Sequence, residues 1–117
     1  MHNISENLNN LNALVLSGRM LEAFEQYYHE DVVMQENNAD PTEGKQNNRE
    51  REIEFLSKIT EFRNAAVTHV AVGDNVSYAH WTYDYTHADW GVRNYTQVSV
   101  QHWKDGKIIR EQFLYTN

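Results

Sequence analysis

A chain of 117 residues with 17 acidic and 10 basic side chains carries a formal charge of −7, which argues against nucleic acid or an acidic membrane surface as a partner. The length suits one domain, residues 1–117, with one modest core, and no run is long and apolar enough to span a membrane. The absence of cysteine excludes disulfides, thiolate chemistry and cysteine zinc sites, leaving six histidines as the ligand-rich class.

The opening MHNISENLNN lacks the basic stretch and apolar core of a secretory signal, so a cytoplasmic location is expected. Ile4, Leu8, Leu11 and Val15 recur at helical spacing, predicting an amphipathic helix over about 3–17 that Ser17-Gly18 terminates. A second, short helix follows in RMLEAFEQYY, where Leu21, Phe24 and Tyr28 share a side. VVMQE then reads as a short strand, and NNADPTEG gathers turn residues around the single proline, Pro41. The next helix, about 45–60, opens with KQNNRERE, which has no apolar face; its front half is expected to be solvated and mobile.

From about Asn64 the pattern changes to strands: AAVTHVAV, VSYAHWTYDYTHA, VRNYTQVSVQHW and KIIREQFLY, separated by Gly73-Asp74-Asn75, a turn near Asp89 to Gly91, and Asp105-Gly106. Helices followed by a four-strand meander imply an α+β domain with helices on one face of a curved antiparallel sheet. In the last strand Ile109, Glu111, Phe113 and Tyr115 share one face, so a carboxylate stands in an apolar and aromatic row.

The order of these elements, with SGRMLEAFEQYYHEDVVM, EGK and the closing WKDGKIIREQFLYTN, resembles the nuclear transport factor 2-like superfamily and, within it, the SnoaL-like proteins. The resemblance spans essentially the whole chain. It implies a cone of three helices over a bent, mainly antiparallel sheet, a pocket inside the cone, and a homodimer through the sheet's outer face. It also implies activities ranging from isomerases, dehydratases, cyclases and hydrolases to non-catalytic binding domains, so the fold does not settle the function. Glu36 ends the first strand where isomerase-type relatives carry a catalytic carboxylate. Other positions depart from the pattern: Asn48 stands where an apolar residue is usual, Asn12 and leucines where the first helix would carry a tyrosine, and Val98 where the fourth strand would carry an acid.

A two-residue Asp105-Gly106 turn pairs Lys104 with Lys107, and hence His102 with Ile109, Val100 with Glu111, Val98 with Phe113 and Thr96 with Tyr115. Trp81, Tyr83 and Tyr85 join this face, which is expected to line the cone. Gln97, Ser99, Gln101 and Trp103, with Ile108, Gln112 and Leu114, are expected to point outward, as a dimer surface. A three-residue connection near Asp89 would swap the faces of the strand after it. On this register His102 and Glu111 lie diagonally, roughly 7 Å apart at Cβ, as an acid–base couple with Glu36 as a second base. Tyr28, Met34, Trp81, Tyr83, Tyr85, Val98, Phe113 and Tyr115 would surround a small apolar ligand. The alternative is a non-catalytic ligand-binding or dimerisation module in which the same residues only fill the cone.

No cofactor or metal is expected. His80 and His87 fall on opposite strand faces and cannot share an ion with Asp89. His2, His29 and His69 read as tail, turn and strand residues. No phosphate loop, nucleophile elbow or dinucleotide fingerprint is present.

Overall fold

The structure, a computed structural model, describes residues 3–116; His2 lies outside them. Helix α1 spans Ile4–Leu16, with the Asn3 side chain accepting from the Glu6 amide at 3.1 Å as its N-cap. Its end is set by Gly18, whose φ of +80° lets the Arg19 amide reach back to the Leu14 carbonyl at 2.8 Å. Helix α2, Met20–Tyr27, turns Ala23, Phe24 and Tyr27 inward. The first strand begins earlier than its apolar run suggests: β1 covers Tyr28–Glu36. Then come β2 (Thr42–Glu43), α3 (Lys45–Ser57), β3 (Ile59–Gly73), β4 (Val76–His87), β5 (Gly91–Lys104) and β6 (Lys107–Tyr115). Helix α3 is thus shorter, and β3 starts sooner, than the expected change of pattern at Asn64.

The strands form one sheet in the order β2-β1-β6-β5-β4-β3. The meander β3 to β6 is antiparallel throughout, while β1 lies parallel to β6 and β2 antiparallel to β1. Leu8, Leu11, Phe24, Tyr27, Val32, Trp103 and Ile108 form the core where α1 and α2 cover the sheet.

Strand β5 faces the opposite way from the sequence expectation. Gln97, Ser99, Gln101 and Trp103 are buried, and Ile108 with them. Thr96 and His102 are exposed, with Val98 and Val100 half-buried between them on the same outward row. Two local features cause the reversal. His87 pairs directly with Gly91, so the β4–β5 connection is the three-residue Ala88-Asp89-Trp90 and the parity along β5 shifts by one. At the other end Asp105 and Gly106 both have positive φ, 53° and 80°, as a two-residue type I′ turn requires. The ladder then slips: Trp103 pairs with Ile108 but His102 with Arg110, leaving Ile109 as an extra residue. Because of that bulge Ile108 and Glu111, three residues apart, both face inward. Glu111 sits opposite Gln101 rather than Val100.

The polar start of α3 also faces in. Lys45 and Asn48 are buried. The Lys45 ammonium donates to the Glu25 carbonyl at 2.9 Å and lies 5.9 Å from the Phe24 ring centroid. Asn48 Nδ2 donates to the carbonyls of Thr42 at 3.0 Å and Gly44 at 2.9 Å, with Val32 O at 3.4 Å. Side-chain hydrogen bonds thus hold this half-helix where apolar contacts would usually do so. Asn48→Ala is expected to lower stability by about 1–3 kcal/mol, because a buried donor set is lost with no water to replace it. Urea unfolding of the two proteins measures this, and an unchanged midpoint would refute it.

Candidate functional site

The inward row of β5 builds a continuous buried hydrogen-bond chain. Trp103 Nε1 donates to Ser77 Oγ at 2.8 Å, and Ser77 Oγ donates to Gln101 Oε1 at 2.6 Å. Gln101 Nε2 donates to Glu111 Oε2 at 3.1 Å, and the Tyr28 hydroxyl donates to Glu111 Oε1. Glu111 is 2% exposed. Burial pushes its carboxyl up to about 7, although the bonds from Tyr28 and Gln101 pull the other way by favouring the anion. Tyr28 is correspondingly held well above the ordinary phenol range by burial, with the Glu111 charge adding to it.

A second carboxyl, absent from the sequence reading, faces the same space. Glu52 on α3 is half-buried, and its carboxyl is also raised to about 7, first by burial and then by the charges of Glu111 and Glu36, with Arg51 opposing. The signal was present in the sequence. Extending the apolar stripe of Phe55, Leu56 and Ile59 backward at helical spacing runs through Glu52, Asn48 and Lys45.

These groups line two adjoining spaces inside the cone. The inner one, about 70 Å³, is bounded by Tyr28, Trp81, Gln101 and Glu111 on the sheet side and by Asn12 of α1. The outer one is a cavity of about 600 Å³ walled by Glu36, Tyr85, Arg93, Tyr95 and Tyr115. Met34, Glu52, Tyr83 and Phe113 border both. The outer volume falls within the range of about 300–1,000 Å³ usual for ligand pockets. Trp81 and Tyr83 stack nearly parallel at 5.4 Å, giving the wall a flat aromatic face. Tyr85 and Tyr95 share a hydrogen bond of 2.9 Å, and the Arg93 guanidinium lies 4.8 Å from the Tyr95 ring. Burial raises the Tyr83 and Tyr95 hydroxyls, keeping them protonated donors. At the rim Trp90 stacks on His87 at 3.8 Å.

Of the residues singled out from sequence, Tyr28, Met34, Trp81, Tyr83, Tyr85, Phe113 and Tyr115 line these spaces, as do Glu36 and Glu111. Glu36 is half-exposed beside Arg51, 3.5 Å away. Val98 and His102 do not belong to the site. The reversed β5 puts both on the outer sheet face, so His102 cannot couple to Glu111, and Gln101 takes the position assigned to it. His80 and His87 lie on opposite faces of β4; His80 bonds Thr68 at 2.6 Å on the outer side.

An α+β cone whose curved sheet and three helices enclose a cavity is the nuclear transport factor 2-like fold. The sequence matches the SnoaL-like domain model over residues 10–111, and the chain belongs to that family. Among solved structures it is similar to a SnoaL-like polyketide cyclase candidate from Mesorhizobium loti, with 22% identity, a TM-score of 0.86, and 95% of this chain and 97% of that one covered. An NTF2-like protein from Burkholderia pseudomallei, 13% identical, gives a TM-score of 0.82 over 99% of this chain and 92% of its own. TerC, crystallised with polyporic acid, gives 0.77 at 15% identity over 95% and 89%. At such identities the likeness shows the fold. No curated protein matches the chain. Among the described residues no helix is long and apolar enough to cross a membrane.

The raised Glu111 has a consequence for stability. Its folded pKa of about 7 lies above the ordinary carboxylate value, so its contribution is fully present below about pH 4.5 and is lost as pH rises through 7. The loss is on the order of 3 kcal/mol for this group. Denaturant midpoints measured between pH 5 and about 8 should therefore fall. Tyr28→Phe, which removes a donor to the anion, should raise the Glu111 carboxyl further, read as a later midpoint in its ¹³C titration. A Glu111 that titrates near 4.5 in both proteins would contradict the burial described.

Proposed function

We propose that this SnoaL-like chain is a small-molecule enzyme in which Glu111 and Glu52 exchange protons with an uncharged, largely apolar substrate. The reaction class is isomerisation, dehydration, cyclisation or hydrolysis. The observation that carries this reading is the pair of carboxyls, each raised to about 7, that line the inner space together, with Glu52 also bordering the outer cavity. A carboxyl near neutrality is both a usable acid and a usable base, the condition under which general acid–base catalysis is most effective. Tyr28 and Gln101 favour the anion at Glu111, making it the base, while the neighbouring charge of Glu111 keeps the proton on Glu52, making that the acid. Glu36, near the outer cavity's rim, is a second base on this reading, and the tyrosines orient the substrate. His102 has no part in it. The chemistry asks nothing of a cofactor, and a cytoplasmic location accords with it.

The test is proton exchange in D₂O across a panel of one- and two-ring ketones, followed by loss of α-proton NMR signals. Exchange in the wild type that drops by about 100-fold or more in Glu111→Gln and Glu52→Gln supports proton transfer. Identical exchange in all three proteins across the panel would instead favour a non-catalytic binding module of the same fold. Independently, Glu111→Gln should lower the Glu52 midpoint from about 7, since a neighbouring negative charge is removed.

The outer sheet face supports a second proposal, self-association. With β5 reversed, its apolar members are Tyr78, Val98, Val100 and Leu114, not the Gln97 to Trp103 row. Tyr78 is 43% and Leu114 41% exposed. Sedimentation should show a dimer at micromolar concentration that Val100→Asp dissociates; a monomeric wild type would rule this surface out.

A further inference from the structure

One polar group of the inner space takes no part in the proton-transfer scheme. Asn12, on α1, is 6% exposed, and its Oδ1 accepts no hydrogen bond from any described residue. Buried side-chain oxygens in folded proteins are almost always paired, so an unmet one on a residue that borders a cavity marks where a partner belongs. The inner space of about 70 Å³ is well above the roughly 10–15 Å³ that one water needs.

The neighbouring polar groups are already committed. Gln101 bridges Ser77 and Glu111, the Tyr28 hydroxyl is directed at Glu111, and Gln97 Nε2 donates to Ser99 Oγ at 3.2 Å. None of them turns a donor toward Asn12. Around it stand Leu11, Val15, Phe24 and the flat Trp81–Tyr83 stack, surfaces that suit a ring or a hydrocarbon body. A ligand carboxylate is disfavoured here, because Glu111 supplies negative charge and, among the described residues, no lysine or arginine lines the inner space to offset it.

We infer that the inner end of the cavity is a recognition subsite for a neutral hydroxyl, an alcohol or phenol leading the ligand into the cone, with Asn12 Oδ1 accepting from the O–H. Asn12 is on this account a specificity-determining residue and not an acid or base. The inference rests on the reading of the cavity as a ligand pocket, and it adds which end of the ligand enters first and what that end carries.

Phenol, anisole and toluene test it as probes, since they share a ring but only phenol donates a hydrogen bond. Affinities come from NMR shift changes of the Leu11 and Val15 methyls and the Asn12 side-chain amide. The wild type should bind phenol roughly three- to tenfold more tightly than anisole or toluene. Asn12→Leu should erase that preference while retaining or improving toluene binding; His102→Gln, on the outer sheet face, should leave the preference intact. Asn12→Ala replaces the leucine variant if the latter does not fold, and the ranking in the wild type requires no variant. Equal binding of phenol and anisole by the wild type would overturn the subsite alone, as would a phenol preference that survives in Asn12→Leu. Failure of all three probes to bind would overturn the subsite and the pocket reading together, whereas absent ketone exchange with intact phenol preference would overturn only the catalytic proposal.

Discussion

The buried hydrogen-bond chain from Trp103 to Glu111 is the constraint on which the interior of this protein depends. Its direction is fixed chemically at one end, because an indole N–H can only donate. Ser77 must therefore accept from Trp103, which leaves its own proton for the Gln101 carbonyl and orients the Gln101 amide with its NH₂ toward Glu111. Tyr28 adds a second donor. Every bond in the chain delivers a hydrogen toward the carboxylate, and none of these partners is cationic. The anion is thus solvated by dipoles alone, in a site that otherwise disfavours charge. Those opposing effects leave the group near neutrality rather than at either extreme.

The same chain explains why β5 misleads a reader of sequence. Its even-numbered row, Thr96, Val98, Val100 and His102, is more apolar than the odd-numbered row of Gln97, Ser99, Gln101 and Trp103, so hydrophobic patterning assigns the wrong face to the core. Burial of the polar row is tolerable because its members bond to one another and to Ser77 and Glu111. The helices, the meander, the type I′ turn and the inward Glu111 were all legible, being local patterns or a single parity. The register across β5 was not. It depended on the length of a loop that Gly91, with φ of 76°, marks without fixing at three residues, and on one extra residue at Ile109 that no glycine or proline announces. The loss of the His102–Glu111 couple follows from the one extra residue at Ile109, which sets Glu111 opposite Gln101.

Helix α3 shows the same inversion on a helical period. Its mean hydropathy misrepresents it, since buried Lys45 and Asn48 and half-buried Glu52 occupy the inward stripe while most exposed positions are also polar. Lys45 and Asn48 are fixed by carbonyl partners from α2, β1 and the segment before α3. That anchoring carries Glu52, one to two turns further on, to the boundary of the two cavities. Sequence reasoning located Glu111 because its strand neighbours were apolar and aromatic, and missed the half-buried Glu52 because the preceding turns of its helix stripe, Lys45 and Asn48, are polar.

The two carboxyls then constrain each other. In a space walled by Trp81, Tyr83, Phe113 and Met34, ionising both at once places like charges in a poorly screened medium. The proton that remains belongs to the pair more than to either residue, and a protonated and an ionised carboxyl coexist over the pH range where a cell operates. Donors already converge on Glu111 and favour the anion there, while Glu52, on α3, borders the larger cavity. In the proposed proton transfer the acid is therefore Glu52, nearer the outer cavity, and the base is Glu111, held fast at the back. On that proposal, a substrate entering with a hydroxyl directed at Asn12 would pass the acid before its polar end came to rest on the base's side of the cone, and the order of groups along the cavity would set which end of the ligand loses a proton and which gains one.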